Sequence, residues 1–310
     1  MYNVFASLNL TVSILLFSSL AAAEVPPEVR TNIDRIIGGK GAYSADDDAY
    51  KVVLPREAAT IVQDFQKLSS NLELNSWVAF SSAVHHEAIL AGQFLLLEDE
   101  VNPVLTITLD AGLEVSALAC SSVFDGPQLH TLHVSGRGKY EDLAGAFRKG
   151  LDEIRRVRRS SASARTKWTR PSVSTKNAID GRPLDAVLSM RGTVTDGVYK
   201  AAIGKRAIVN GELVGREMGM TTWLSVSGTN DRAVAHGEFV ETPEDLQKVL
   251  KALRAKGINI ESIRNHTVGE HPQFIFVRFW GQGGALELAR AIRYVLEVDA
   301  GTLSAPAARI

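Results

Sequence analysis

The sequence predicts an α+β protein built from two tandem ferredoxin-like α/β sandwich repeats that form an intramolecular pseudo-dimer. Three observations predict it: a recurrence of turn-setting residues 145 positions apart, a repeated strand-strand-helix-strand-strand-helix pattern, and a polar segment between the copies. The 145-residue spacing relates Gly92 to Gly237, Gly112 to Gly257, Pro127 to Pro272, Gly136 to Gly281 and Gly138 to Gly283. It also relates Phe94 to Phe239, and Leu143, Phe147 and Leu151 to Leu288, Ile292 and Leu296. Glycine and proline constrain the backbone, so their recurrence repeats turns and caps as well as composition. Upstream, Tyr50-Lys51 and Tyr199-Lys200 each follow a basic residue and a glycine, Lys40-Gly41 and Arg191-Gly192.

Each element has its own signal. A strand is expected near Tyr50 and again near Tyr199. In the second copy 222–227 and 233–240 read as strands. Thr242-Pro243-Glu244-Asp245 then opens a helix, with an N-cap residue, proline at the first position and acids at its positive end. Leu246, Val249, Leu250 and Leu253 make one apolar face, and Gly257 ends it. Residues 258–266 and 273–280 pair around a turn, and 286–296 form a closing amphipathic helix. The first copy follows the same order, with Pro103 expected to delay or kink its first helix. Two helices cover one face of each sheet. The run FIFVRFW (274–280) is apolar on both alternating faces, so the second face also needs a partner. Packing the two sheets against each other supplies one, and leaves a groove between copies as the natural ligand site.

The boundaries follow: a signal peptide over 1–23, a first repeat over 24–156, a basic Ser/Thr-rich linker over 157–178, a second repeat over 179–299 and a tail over 300–310. Residues 1–23 carry no charge, and Leu10 to Leu20 is an apolar stretch followed by Ala21-Ala22-Ala23, the small residues of a cleavage site. The expected product begins at Glu24 and is periplasmic or extracellular, with no stable membrane span after signal removal, because the segment is short of the ~20 residues a span needs. The single Cys120 rules out an internal disulfide, so packing must supply stability. A formal net charge of −1 over 310 residues gives no general attraction to nucleic acid, and none is expected as a partner. Residues 155–170 contain seven Lys or Arg and no acid. That composition reads first as a solvated linker and second as a docking site for an anionic polymer or lipid surface.

Chemistry concentrates in one hairpin of the second copy. Arg264 and His266 are two apart, hence on one face of a strand, with Glu270 and His271 in the following turn and Arg278 on the next strand. Two guanidinium groups and an imidazole read as an anion pocket for a carboxylate or phosphate, with Arg264, Asn265, His266, Glu270 and Arg278 as its residues. The alternative is a divalent metal held by His266, Glu270 and His271, helped by His236 or His133, in a hydrolytic enzyme. Arg264 and Arg278 oppose a metal by charge. Exposed polar residues at a hairpin tip, with no role, are the third reading. The first copy carries Ala119, Ser121, Asp125 and Gly126 in this stretch. Elsewhere the signals are weaker. His130 and His133 cannot share a strand face, His85-His86-Glu87 has no second histidine at zinc-protease spacing, and GRGK (136–139) lacks the full phosphate-loop pattern.

Taken together, basic-Gly, Tyr-Lys, Trp, Gly-(acid or amide)-Phe and the stretch RNHTVGEHPQFIFVRFWGQG resemble the LppY/LpqO family of bacterial exported proteins. Asn265, His266, Glu270, Pro272, Trp280, Gly281 and Gly283 match the family pattern, while Arg264 and Arg278 stand where it tends to have histidine. In the first copy Ala119 and Ser121 replace both histidines and His133 is kept. The resemblance implies the duplicated unit and export, and it supplies no activity. The resulting expectation is an exported, non-catalytic module binding a small anionic ligand, with cofactor and oligomeric state left open and a divalent metal required only by the enzymatic alternative.

Overall fold

The computed structural model describes residues 24–56, 62–63, 66–67, 75–121, 125–160 and 176–305, with backbone only at 62–63, 66–67, 125 and 126. Residues 1–23, expected as a signal peptide, residues 161–175 of the expected linker and the last five residues lie outside the described residues. The first repeat runs α1 (Pro27–Ile37), β1 (Gly41–Ser44), β2 (Ala49–Pro55), β3 (Asn75–Ser82), β4 (Ala88–Leu97), α2 (Val101–Asp110), β5 (Glu114–Cys120), β6 (Leu129–Gly138) and α3 (Tyr140–Ser160). The second runs α4 (Gly181–Leu188), β7 (Thr193–Thr195), β8 (Val198–Gly204), β9 (Thr221–Gly228), β10 (Ala233–Glu241), α5 (Pro243–Ala255), β11 (Asn259–Arg264), β12 (Ile275–Gly283) and α6 (Ala285–Asp299). Helices α1 and α4, which open the two repeats, were not anticipated from the sequence.

Those two helices explain the paired Lys/Arg-Gly and Tyr-Lys matches. Asp34 of α1 accepts hydrogen bonds from the Tyr50 hydroxyl at 2.6 Å and the Gly41 amide at 3.0 Å. Asp185 of α4 does the same for Tyr199 at 2.9 Å and Gly192 at 2.8 Å. A Cβ on either glycine would stand 2.6 Å or less from the tyrosine ring, inside contact distance, so no larger residue fits. Burial first, then the Asp34 hydrogen bond, pushes the Tyr50 hydroxyl up to about 12. Burial and Asp185 raise that of Tyr199 further. Gly112 and Gly257 follow α2 and α5 with φ of 85° and 71°, a conformation glycine adopts without strain.

The strands form one twelve-stranded antiparallel sheet ordered β1-β2-β3-β4-β6-β5-β11-β12-β10-β9-β8-β7. The order is a palindrome about the β5–β11 seam, as an approximate two-fold requires. The seam corrects the sequence expectation. The repeats do not stack sheet on sheet but join edge to edge, with Ile263 opposite Leu118. One continuous core then links both halves, from Ile33, Phe94 and Phe147 through Leu118 and Ile263 to Phe239, Phe279 and Ile292. Along β10 and β12, Ala235, Phe239, Val277 and Phe279 enter that core. The alternate residues face away from it.

Both seam strands carry a bulge, between Val115 and Ala117 in β5 and between Ile260 and Ser262 in β11. A bulge leaves backbone groups off the ladder, and the opposite repeat satisfies them. Gln247 of α5 donates to the Val115 carbonyl at 2.8 Å and accepts from its amide at 3.0 Å. Asn102 of α2 donates to the Ile260 carbonyl at 3.1 Å and accepts from its amide at 2.8 Å. Asn102 and Gln247 occupy matched positions, 145 apart.

The partner that Phe274 and Phe276 require is local. Strands 207–209 and 212–214 pair with the short strand Glu270–His271 as a three-stranded flap, and Ala207, Val214, Met220, Val240, Phe274 and Phe276 make a second small core beneath it. The backbone at 62–63, 66–67 and 125–126 pairs in the same way in the first repeat. Two further differences concern helices. Pro103 neither delays nor kinks α2, because it lies in the first turn, where backbone amides have no intrahelical partner. Helix α3 continues to Ser160 with Val157 fully buried, so the basic run begins on a packed helix and not at a linker starting with residue 157.

Candidate functional site

On the face of the sheet away from the helices, β10 presents His236 and Glu238, and β12 presents Arg278 and Trp280. Register places Glu238 between Trp223 of β9 and Arg278 of β12, and His236 opposite Trp280. Arg264, at the end of β11, lies opposite Phe276. Strand alternation thus gathers residues distant in sequence onto one open patch.

Glu238 organises the two arginines. Arg264 donates to its Oε1 at 2.7 Å, and Arg278 Nε lies 3.8 Å from the same oxygen. The Glu238 side chain is 8% exposed, against 38% for Arg264 and 41% for Arg278. The acid is therefore inside and the outer edges of both guanidinium groups reach solvent. Arg278 Nε is buried without a hydrogen-bond partner, and the three charges leave a formal surplus of one positive. His236 lies 5.3 Å edge-on from the Trp223 ring and 6.1 Å from Trp280, with Nε2 3.8 Å from Glu261. His266 is past the strand end, stacked on Phe276 with centroids 4.8 Å apart. Its Nε2 is 2.8 Å from the place a Gly219 Cβ would take. The Arg264 guanidinium is 5.7 Å from the same Phe276 ring.

The other expected site residues are placed differently. Asn265 is exposed, and its carbonyl accepts from Arg264 at 3.4 Å. Glu270 is 4% exposed and accepts from the Phe274 amide at 3.2 Å. Burial raises its pKa, but its own amide, that of Phe274 and nearby His271 outweigh this and hold the carboxyl below its ordinary value. It is a turn-fixing carboxylate on the inner side of the flap's own short strand. His271 is exposed on the adjacent strand position and points to the opposite side. The metal set His266, Glu270 and His271 is thus not assembled. Among the described residues, only Glu241, Asp245 and Asp299 bring three such ligand atoms within 4.8 Å of one another.

In the first repeat, the pair Gln93 and His133 takes the places of Glu238 and Arg278, and Ala119 takes that of Arg264. The charged constellation belongs to the second repeat only. Cys120, the last residue of β5, is exposed, with Sγ 3.9 Å from His130 Nδ1.

Sequence reasoning missed Glu238 as the centre, since β9, β10 and β12 come together only once strand order is known. Its strand parity with His236 was the available signal. It also missed charge clusters at matched places in the two repeats, buried in the first and partly buried in the second. In the first, Arg56 donates to the Leu95 carbonyl at 2.6 Å and to both oxygens of Glu100 at 2.6 and 2.8 Å. Arg158 pairs there with Asp99 and, at 2.7 Å, with Glu100. In the second, Lys205 lies 3.5 Å from Glu241 and 3.7 Å from Asp299, while Lys248 lies 2.7 Å from Asp245. Burial, then Asp299, pushes Glu241 up to about 9. With ammonium groups already beside these carboxylates, the trio fits proton sharing better than a resident metal.

The family model described as Domain of Unknown Function (DUF1259) matches residues 31–153 and again 182–298. The two matches coincide with the two structural repeats, and the chain belongs to this family. No curated protein matches it. Solved structures similar to it include a trimeric bacterial microcompartment shell protein, PduB, at 12% identity and TM-score 0.21, covering 86% of this chain and 94% of that one. The ethanolamine utilization protein EutL from Leptotrichia buccalis follows at 11% identity and TM-score 0.20, covering 85% and 96%.

Proposed function

We propose that this member of the family is an exported, non-catalytic binding protein of the LppY/LpqO type, taking a small anionic ligand on the open face of its second repeat. The observation that carries the reading is Glu238, which holds Arg264 at 2.7 Å and lies 3.8 Å from Arg278. A buried acid fixes the Arg264 guanidinium by a hydrogen bond and attracts that of Arg278 by charge, so a carboxylate or phosphate meets placed partners. Trp223 and Trp280, on the same face beside His236, offer flat apolar surface to the body of such a ligand. Asn265 and His266 border the patch, and Glu270, a strand residue of the flap, fixes the turn to Phe274 through its amide. The uncharged leader over 1–23 is the support for export. In each repeat the strand order β3-β4-β6-β5, or β9-β10-β12-β11, is that of a ferredoxin-like unit whose last strand has moved to the front, which supports that finer reading of the fold.

Among the described residues no helix is long and apolar enough to cross a membrane. The hydrolytic metal alternative gains nothing from the geometry, since Glu270 is engaged by backbone amides and His271 points away from it. The test is a calorimetric titration with phosphate and with benzoate, an aromatic carboxylate, alongside metal analysis of protein purified without chelator. Binding of either anion that weakens about ten-fold or more in Arg278→Ala, in a protein of unchanged melting temperature, supports the proposal. Binding indifferent to Arg264→Ala and Arg278→Ala overturns it, as does stoichiometric metal lost in His266→Ala.

A further inference from the structure

A second site, unrelated to the open face, lies at the far end of the first repeat. A cavity of about 620 Å³ lies between the ends of β2 and β4 and the C-terminal turns of α3. That size falls within the roughly 300–1,000 Å³ of small-molecule sites. Its lining is of two chemical kinds. Val53, Leu54, Leu95, Leu151 and Ile154 supply apolar lining, and Arg56, Arg155, Arg158 and Arg159 supply cations beside it.

Charge decides what this cavity accepts. Arg56 and Arg158 are spent internally on Glu100 and Asp99, whose side chains are 0% and 3% exposed. These two cations and two anions cancel, although Arg56 Nε stays buried with no hydrogen-bond partner and its side chain is only 8% exposed. Arg155 at the mouth is 49% exposed and shares Asp152 at 3.0 Å. Arg159 is exposed, and no described residue pairs with it. Among the described residues, the rim therefore carries about one uncompensated positive charge beside the apolar lining. The matched place in the second repeat lacks this chemistry. Lys205 stands for Arg56, Asp299 for Ile154 and Leu303 for Arg158, and the Glu241–Asp299 pair puts acid where the first repeat has aliphatic wall.

We infer that this cavity binds a single-chain amphiphilic monoanion, an alkyl carboxylate whose tail lies along Leu54, Leu95, Leu151 and Ile154 and whose head meets Arg155 and Arg159. The basic run that opens at residue 155 thereby acquires a role at its start, as the rim of a binding cavity. Shape selects the tail, and the guanidinium rim selects the sign of the head.

The experiment is calorimetry on the purified protein with dodecanoate below its micellar concentration, with acetate and dodecyltrimethylammonium as companion probes. In the Arg264→Ala/Arg278→Ala background the expected result is one dodecanoate per chain, acetate weaker by at least a hundred-fold, and no saturable binding of the cationic amphiphile. The Arg155→Ala/Arg159→Ala double variant, altered only at exposed rim residues, weakens dodecanoate at least ten-fold. Ile154→Asp, which imports the residue of the second repeat, abolishes binding. Arg264→Ala and Arg278→Ala leave it unchanged, so failure of the open-face proposal and failure of this one are separable. Equal binding of both amphiphiles overturns the inference, as does dodecanoate binding indifferent to the rim double variant, or its absence from the parent protein.

Discussion

Removing Gln247 tests whether the two repeats are held as one body by reciprocal side-chain amides at the seam. In Gln247→Ala the amide and carbonyl of Val115, a residue with 0% exposure, lose partners at 3.0 and 2.8 Å. A buried backbone group left unpaired costs about 1–3 kcal/mol. These bonds are only partly buried, so water recovers some of the loss and the low end applies to each. The sum is about 2–3 kcal/mol, including a little packing of the glutamine stem. At roughly 2–4 °C per kcal/mol for a chain of this size, the melting temperature should fall about 4–12 °C. Asn102→Ala should cost the same, because it strips the equivalent groups of Ile260. Glu212→Ala, on the exposed flap, should stay within about 0.5 kcal/mol. The assay is urea unfolding with two probes, tryptophan emission and far-ultraviolet circular dichroism. Coincident transitions in the parent that separate in the double variant would show the seam opening before the repeats unfold. If both single variants lie within 0.5 kcal/mol of the parent, the amides are decoration, and sheet pairing and helix packing alone hold the seam.

Two further outcomes follow from buried polar groups. Glu241, pushed by burial to about 9 from an ordinary value of 4.5, keeps its proton in the folded chain at pH values where the unfolded chain has released it. Between those values the native state binds more protons, so stability falls as pH rises from about 5 to about 9, by at most about 1.4 kcal/mol per pH unit. Urea midpoints at pH 5, 7 and 9 should show that slope in the parent and a flatter one in Glu241→Gln; an unchanged slope would mean that Lys205 keeps the carboxyl ionised. Tyr199→Phe removes the 2.9 Å hydrogen bond to Asp185 and should cost about 1.5–3 kcal/mol, the range for a bond to a charged group, with chemical denaturation as the measure and a loss below 0.5 kcal/mol as the contrary result.

The repeat was legible because its markers act locally. Gly41 and Gly192, Gly112 and Gly257, and Tyr50 and Tyr199 each answer a short-range backbone or packing demand, and that demand is written into spacing. The manner of joining was not legible. FIFVRFW was read as a strand needing a second sheet, on the rule that apolar residues on both faces demand burial. The structure divides that strand three ways: Val277 and Phe279 to the helices, Phe274 and Phe276 to the flap, Arg278 and Trp280 to the open face. A small flap accounts for the apolar excess as well as a whole partner sheet would. The residues that specify the edge-to-edge seam, Asn102 and Gln247, are lone amides on helices. From sequence they are indistinguishable from solvated surface positions, despite their 145-residue match.

The basic run shows the same limit from the other side. Composition alone made 155–170 a linker, since seven cations without an acid cannot build a core. But Phe147, Leu151, Ile154 and Val157 continue the three-and-four spacing of α3 through the first arginines, and a helix needs only one apolar stripe to stay docked. Periodicity therefore outranks composition wherever the two conflict over a few turns. The charged residues of those turns are then held at fixed positions and not dispersed in solvent. That is why Arg158 can reach Asp99 and Glu100, and why Arg155 and Arg159 can serve as the rim of a cavity. The candidate site of the second repeat obeys the same logic. Arg264 and Arg278 were legible as cations on one face, but their meaning depends on Glu238, which only the strand order brings between them. A cation pair read from sequence is an anion site in waiting; a buried acid beneath it turns that pair into a positioned one, with a net charge of one instead of two.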